Sequence, residues 1–181
     1  MEKKQIILDY IENENHKYLE ISHQIHQRPE LGNEEIFASR TLIEDLIAHN
    51  FDVETDIAGH ATGFIARYDS GIEGPTIGFL AEYDALPGLG HACGHNIIGT
   101  ASVLAGTALK QVIDKIGGKI IVLGCPAEEG GENGSAKATY VKAGVIDELD
   151  IALMVHPGNE TYRTIDTLAV DVLDIKFYGK S

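Results

Sequence analysis

Between Ala81 and Asn96 the chain sets two carboxylates, Glu82 and Asp84, two imidazoles, His91 and His95, and one thiol, Cys93, within sixteen residues. Gly88, Gly90 and Gly94 let the backbone bend tightly around whatever those groups share. Thiolate, imidazole nitrogen and carboxylate oxygen together are the ligand set of zinc and, with less preference for thiolate, of manganese or cobalt. Two later loops carry more of the same chemistry: Cys125-Pro126-Ala127-Glu128-Glu129-Gly130-Gly131 and Val155-His156-Pro157-Gly158. Adjacent glutamates suit a division of labour, because neighbouring side chains point different ways: one can bind metal while the other acts as a general base. Each element alone is ordinary, since a lone Cys is usually a small buried hydrophobe, Glu-Glu usually solvated surface and His-Pro-Gly usually a turn. The combination of Cys-x-His with Glu-Glu after one strand and His after another is far more specific.

Hydrophobic periodicity supplies the elements that must position these residues. Residues 3 to 28 carry apolar positions at helical spacing, as one long helix or two short ones ended by Arg28-Pro29. His16, His23 and His26 lie on that helix without a carboxylate or Cys arranged beside them, and are read as structural. A second helix is predicted from Asn33-Glu34-Glu35 to His49-Asn50, with Asn33 as its cap. Strands are predicted at Phe51 to Thr55, Gly63 to Tyr68 and Thr76 to Ala81, with His60 and Asp69 in the loops between them. A helix from Ile97 to Lys115, capped by Asn96 and ended by Gly117-Gly118, leads to a buried strand at Lys119 to Gly124. A helix at Ser135 to Ala143, a buried strand at Ile151 to Val155 and a final strand at Leu168 to Tyr178 complete the reading.

That order of strand, polar loop, helix and strand implies an α/β fold with a mostly parallel or mixed sheet flanked by helices. In such sheets functional groups collect at the carboxyl ends of the strands. Glu82 and Asp84, then Cys93 and His95, then Glu128 and Glu129, then His156 all fall there. Four carboxylates converging on an apolar sheet repel one another and resist desolvation, at several kcal/mol per uncompensated ion. Divalent cations resolve that problem.

Composition excludes several classes. The net charge of -14, with 14 basic residues scattered among 28 acidic ones, offers no patch for nucleic acid. No apolar run is long enough for a membrane span or a signal peptide, so a cytoplasmic protein is expected. In that reducing setting Cys93 and Cys125 are expected to stay unpaired. Gly88-x-Gly90 lacks the third glycine of a dinucleotide cradle, and Glu128-Glu129 would repel phosphate. The length suits a single domain spanning residues 1–181.

The stretch Leu80-Ala-Glu-Tyr-Asp-Ala-Leu-Pro-Gly-Leu-Gly-His-Ala-Cys-Gly-His-Asn96, with Pro126-Ala-Glu-Glu-Gly-Gly131, His156-Pro-Gly158 and the early His26-Gln-Arg-Pro-Glu-Leu-Gly32, resembles the aminoacylase, hippurate hydrolase and carboxypeptidase family of metallo-amidohydrolases. The likeness is greatest to its aminobenzoyl-glutamate hydrolase and dipeptidase-like branch. It implies that Cys93, His95, Glu129 and His156 are ligands of a centre of two divalent metal ions, and that Glu128 is the general base that activates the attacking water. It makes Asp84 a residue that orients a ligand or tunes the metals. The reaction implied is hydrolysis of the amide bond between an acyl group and an amino acid, on small N-acyl amino acids, dipeptides or aminobenzoyl-glutamate-like substrates. Full-length relatives are expected to be homodimers.

The chain departs from the family pattern at Ala81-Glu82-Tyr83-Asp84, where many relatives have Arg-Ala-Asp-Met-Asp, and at Asn96, where many have Asp. Members of the family also continue past this point into a lid and dimerisation domain and back, bringing a further His ligand. On that expectation the chain is the N-terminal portion of a catalytic domain, ending near 178–181 without the lid. Two rivals stand beside this reading: a chain that binds metal or a partner without turnover, and a thiol hydrolase with Cys93 as nucleophile and His95 or His91 as base. The second leaves Glu128, Glu129 and His156 unexplained.

Overall fold

The computed structural model describes residues 2–130, 134–161 and 176–179. Helices α1 (Lys3–His26) and α2 (Ile36–Ala48) lead into β1 (Asp52–Ile57), β2 (His60–Asp69) and β3 (Thr76–Ala81). There follow α3 (His95–Ile116), β4 (Lys119–Gly124), α4 (Ala136–Lys142) and β5 (Ile151–Leu153). The strands form one sheet in the order β1-β2-β4-β3-β5. β4, β3 and β5 run parallel, whereas β2 runs antiparallel to both β1 and β4. The sheet is therefore mixed, and its parallel half places the carboxyl ends of β3, β4 and β5 on one edge.

Alternation along β2 and β4 serves two cores, as expected of strands covered on both faces. Ala66, Ile120 and Val122 pack with Tyr18, Ile25, Leu42, Leu46 and Val103 from the layer of α1, α2 and α3. Ile65, Ile121 and Leu123 face the other way, against Ala136 and Tyr140 of α4. α3 lies close to the sheet because its inner face is small: a Cβ at Gly99 would sit 2.7 Å from the Glu82 carbonyl oxygen.

Of the two alternatives offered for the first helix, the single long one forms. Several other expectations need correction. α2 begins at Ile36, and Asn33 does not cap it: Asn33 has φ +66° and takes a hydrogen bond from His60 through Oδ1 at 2.8 Å. His60 is the buried first residue of β2 rather than a loop residue, and Asp69 is the last. α3 starts at His95, not Ile97, because Gly94 at φ +81° closes its N-terminus. Asn96 lies inside the helix, its amide donating to Ser22 Oγ of α1 at 2.9 Å. Hydropathy predicts a buried β5, yet Ile151 and Leu153 are 45% and 48% exposed, since β5 pairs with β3 at the sheet edge among the described residues. The strand expected at Leu168 to Tyr178 lies outside the described residues as far as 175, and 176–179 form no regular element.

Candidate metal centre

Three parallel strands deliver the site. β3 runs directly into Glu82 and Asp84, both 1% exposed, and the loop beyond returns through Cys93 to His95 at the first turn of α3. β4 runs into the Cys125 to Gly130 loop, and β5 into His156.

His95 is the hub. Its Nδ1 lies 2.8 Å from Asp84 Oδ1, while the other Asp84 oxygen accepts the Glu129 backbone N–H at 2.9 Å. Asp84 thus ties the imidazole and the Glu129 loop into one unit. With Nδ1 taken, Nε2 faces three further carboxylates: Glu82 at 3.4 Å, Glu128 at 3.7 Å and Glu129 at 3.8 Å. Candidate ligand atoms of Cys93, His95 and His156 lie within 4.8 Å of one another, as do those of Glu82, His95 and Glu128. Cys93 Sγ is 3.7 Å from His156 Nε2, and the His95 and His156 rings meet edge to face at 6.1 Å. The residues singled out from sequence, Cys93, His95, Glu128, Glu129, His156 and Asp84, therefore converge on one place.

The electrostatics fit a cation. Burial pushes the Asp84 carboxyl up, but the bonds from His95 and the Glu129 N–H outweigh it and hold the group below the usual range. Burial pulls the His95 imidazole down, yet Asp84, Glu82 and Glu128 reverse the sign and raise it. The same pull favours a metal cation at Nε2. Burial, with the bonded Glu129 carboxylate, pushes the Cys93 thiol up to about 11, a poor setting for a free nucleophile. The imidazole it hydrogen-bonds is that of His156, which the thiol-hydrolase rival leaves unexplained. Cys125 is fully buried, its thiol pushed up to about 12 by desolvation, and neither cysteine is in a disulfide.

Two buried atoms at the hub, His95 Nε2 and Glu82 Oε2, have no hydrogen-bond partner. Buried polar atoms are rarely left so, and an orphaned imidazole nitrogen facing carboxylate oxygens is a donor set suited to a divalent ion. The residues present fit the group that the sequence implies.

Sequence reasoning puts Glu82 in the strand-end cluster but assigns it no role; in the structure it lies against His95. One participant is missed altogether. Lys137, in the first turn of α4, bonds Glu82 and lies 3.7 Å from Glu128 Oε1. Burial lowers its ammonium, but Glu82 and Glu128 reverse the effect and keep it charged. The available signal is a lysine at the start of the helix that follows an acidic strand-end loop. His91 is buried beside His26 at a ring separation of 6.2 Å, apart from both ligand groups.

With a mixed α/β sheet and a Cys, His and Glu cluster at its strand ends, the chain belongs to the aminoacylase, hippurate hydrolase and carboxypeptidase family of metallo-amidohydrolases. Over 168 residues it is 36% identical to a p-aminobenzoyl-glutamate hydrolase chain of Escherichia coli, an alignment covering 82% of this chain and 34% of that protein. Over 182 aligned residues it is 34% identical to the human Xaa-Arg dipeptidase, covering 89% of this chain and 40% of that one. A putative aminohydrolase from methicillin-resistant Staphylococcus aureus shares the fold at a TM-score of 0.72 and 31% identity, over 82% of this chain and 41% of its own. A dinuclear metal-binding peptidase of the M20 family from Bacillus subtilis shares the fold at a TM-score of 0.64 and 24% identity, over 75% of this chain and 41% of its own. The chain spans about a third to two-fifths of the curated relatives named here. No family model matches it.

Proposed function

We propose that this chain carries the metal-binding part of an enzyme that hydrolyses the amide bond between an acyl group and an amino acid. The observation that carries the reading is the convergence of three carboxylates, Glu82, Glu128 and Glu129, on the buried, unpartnered Nε2 of His95, with the Cys93 thiol and the His156 imidazole grouped around the same ring. Cys93, His95, Glu129 and His156 would hold two divalent ions, zinc, manganese or cobalt. Bound there, such ions would polarise the substrate carbonyl and stabilise the oxyanion as it forms. Glu128 serves as general base toward the attacking water and then delivers that proton to the leaving amine. Asp84 fixes the His95 ring through Nδ1, which leaves Nε2 as the ligand atom. Lys137 holds Glu82 and limits the repulsion between Glu82 and Glu128.

In this reading residues 1–181 are the N-terminal portion of a cytoplasmic catalytic domain that in whole relatives works as a homodimer. The relatives' names point to dipeptides and aminobenzoyl-glutamate, and the family resemblance adds N-acyl amino acids, as substrates to assay first. Among the described residues no helix is long and apolar enough to cross a membrane.

Metal analysis of the purified chain, alongside hydrolysis of those three substrate classes, tests the proposal in wild type and Glu128→Gln. The expected result is divalent metal in both proteins and a loss of turnover of at least about a hundredfold in the variant. Wild-type protein that takes up no divalent metal would sink the scheme. Turnover unchanged in Glu128→Gln would remove Glu128 from the base role. Metal retained with no hydrolysis by wild type would support instead a chain that binds metal without turnover.

A further inference from the structure

The motif His26-Gln-Arg-Pro-Glu-Leu-Gly32 and the residues just after it are far in sequence from every candidate ligand, yet this segment touches both loops of the centre. The Glu30 carbonyl accepts the Ala85 N–H at 2.8 Å, one residue past Asp84. The Glu30 carboxylate takes the N–H groups of Phe37 and Ala38 at 2.9 and 3.0 Å, which secures the start of α2. Gly32 lies against the other loop so closely that a Cβ there would meet the Gly130 carbonyl oxygen at 2.4 Å and Ala127 Cα at 2.9 Å.

Glu35 completes the contact. It is wholly buried. One carboxylate oxygen accepts the Ala127 N–H at 2.8 Å, and the other accepts the Thr62 hydroxyl of β2 at 2.7 Å. Ala127 is the residue before Glu128, and it holds φ +56°, a left-handed conformation that a residue with a Cβ adopts only when its surroundings impose it. A fully buried carboxylate is costly unless its bonds do structural work, and a neutral residue could fill the same space without that cost.

We propose that Glu35 is a positioning residue for the metal centre. By anchoring the Ala127 N–H against the rigid β2 strand, it sets the backbone turn that aims Glu128 and Glu129 in different directions at His95. The proposal rests on the roles given above to Glu128 and Glu129. Glu35 itself touches neither substrate nor metal.

Amide hydrogen exchange across 125–130, together with titration of Co2+ followed by its visible absorption, tests this in wild type, Glu35→Ala, Glu35→Gln and Thr62→Val. Glu35→Ala is expected to speed exchange at Ala127 to Glu129 by at least about tenfold while β4 and α3 keep their protection, and to weaken Co2+ binding by about 10- to 100-fold. Glu35→Gln retains an oxygen acceptor for Ala127, so exchange and Co2+ affinity are expected to stay near wild type. Should Glu35→Ala not fold, Thr62→Val decides, with faster exchange confined to the same loop as the expected result. Unchanged exchange in the loop, a uniform rise across the whole chain, or a loosened loop with undiminished Co2+ affinity would each overturn the positioning role. A wild type that binds no Co2+ would overturn the metal reading, and the exchange comparison would still decide whether Glu35 holds the loop.

Discussion

Asp45, where α1, α2 and α3 meet, and Glu82, at the end of β3, are both buried carboxylates, 7% and 1% exposed. Their surroundings differ in kind. Asp45 is ringed by donors: Tyr18 gives it a hydroxyl bond of 2.8 Å, Lys17 an ammonium, and His49 lies within 3.5 Å. Glu82 shares Lys137 with Glu128, and beyond it lies a crowd of acceptors, with its own Oε2 and the His95 Nε2 left unpartnered. A structural polar network balances donors against acceptors within the protein. One that leaves carboxylates and an imidazole nitrogen unmatched in the same small volume is built for a cation supplied from outside. The difference separates a buried acid that holds helices together from one that, in the reading proposed above, belongs to a metal site.

The sharpest way to break that contrast is to disable each centre in turn and read both metal binding and stability. His95→Ala is expected to abolish divalent binding at the site, because it removes the hub that both ligand groups share. Asp45→Asn is expected to leave metal binding intact and to cost about 3 kcal/mol of stability, since a buried acceptor of charged and hydroxyl donors becomes an amide facing Lys17. Metal content and urea denaturation of both variants give the readout. Metal binding lost in Asp45→Asn at native-like stability would show that the two centres are not distinct in kind.

A smaller effect comes from the ion itself. Added Zn2+ or Mn2+ binds the folded site and not the unfolded chain, so at a hundredfold excess over Kd it stabilises by about 2.7 kcal/mol. For a chain of this size that is a rise in Tm of about 5 to 10 °C. A chelator is expected to reverse it, and His95→Ala to show no rise. Asp45→Asn should retain the full increment on its lower baseline. A Tm indifferent to divalent ions would mean that the acceptor-rich cluster is stable as it stands.

The sheet is legible in the sequence because β3 and β4 are runs of apolar residues at strand length, and their C-terminal ends are marked by acids. The six candidate residues are legible for the same reason, since each sits just beyond a strand or in the glycine loop. Less legible are features set by backbone geometry or by distant partners. The α3 start hinges on Gly94 in a left-handed conformation, so Asn96 reads as a cap while serving as an inter-helix tie to Ser22. The exposure of β5 follows from its place at the edge of the sheet that the described residues form, which hydropathy alone does not state. Glu35 carries no local signal of a site, and Lys137 only the weak one of a lysine opening the helix after an acidic loop. Lys137 reads as ordinary helix surface and Glu35 as a helix-start acid, and only the tertiary fold brings one to Glu82 and the other to Ala127.

The mildest test probes the donor-balanced centre alone. Tyr18 is 3% exposed, and its hydroxyl lies 2.8 Å from Asp45 Oδ2 and 2.9 Å from Thr107 Oγ1, joining α1 to both α2 and α3. Tyr18→Phe keeps the ring and removes only that oxygen; Thr107 can then give its hydroxyl proton to the Leu104 carbonyl at 3.0 Å, and Asp45 keeps Lys17. What is lost is one buried hydrogen bond to a charged acceptor, about 1.5 kcal/mol. The variant is expected to unfold at lower urea with an unchanged slope, and to bind Zn2+ or Mn2+ as wild type does. A loss near the roughly 3 kcal/mol expected of Asp45→Asn would mean that the hydroxyl, rather than the ammonium of Lys17, is the principal partner of Asp45. A loss near zero would mean that water or Thr107 replaces it, and that the centre tolerates an unmatched acceptor after all.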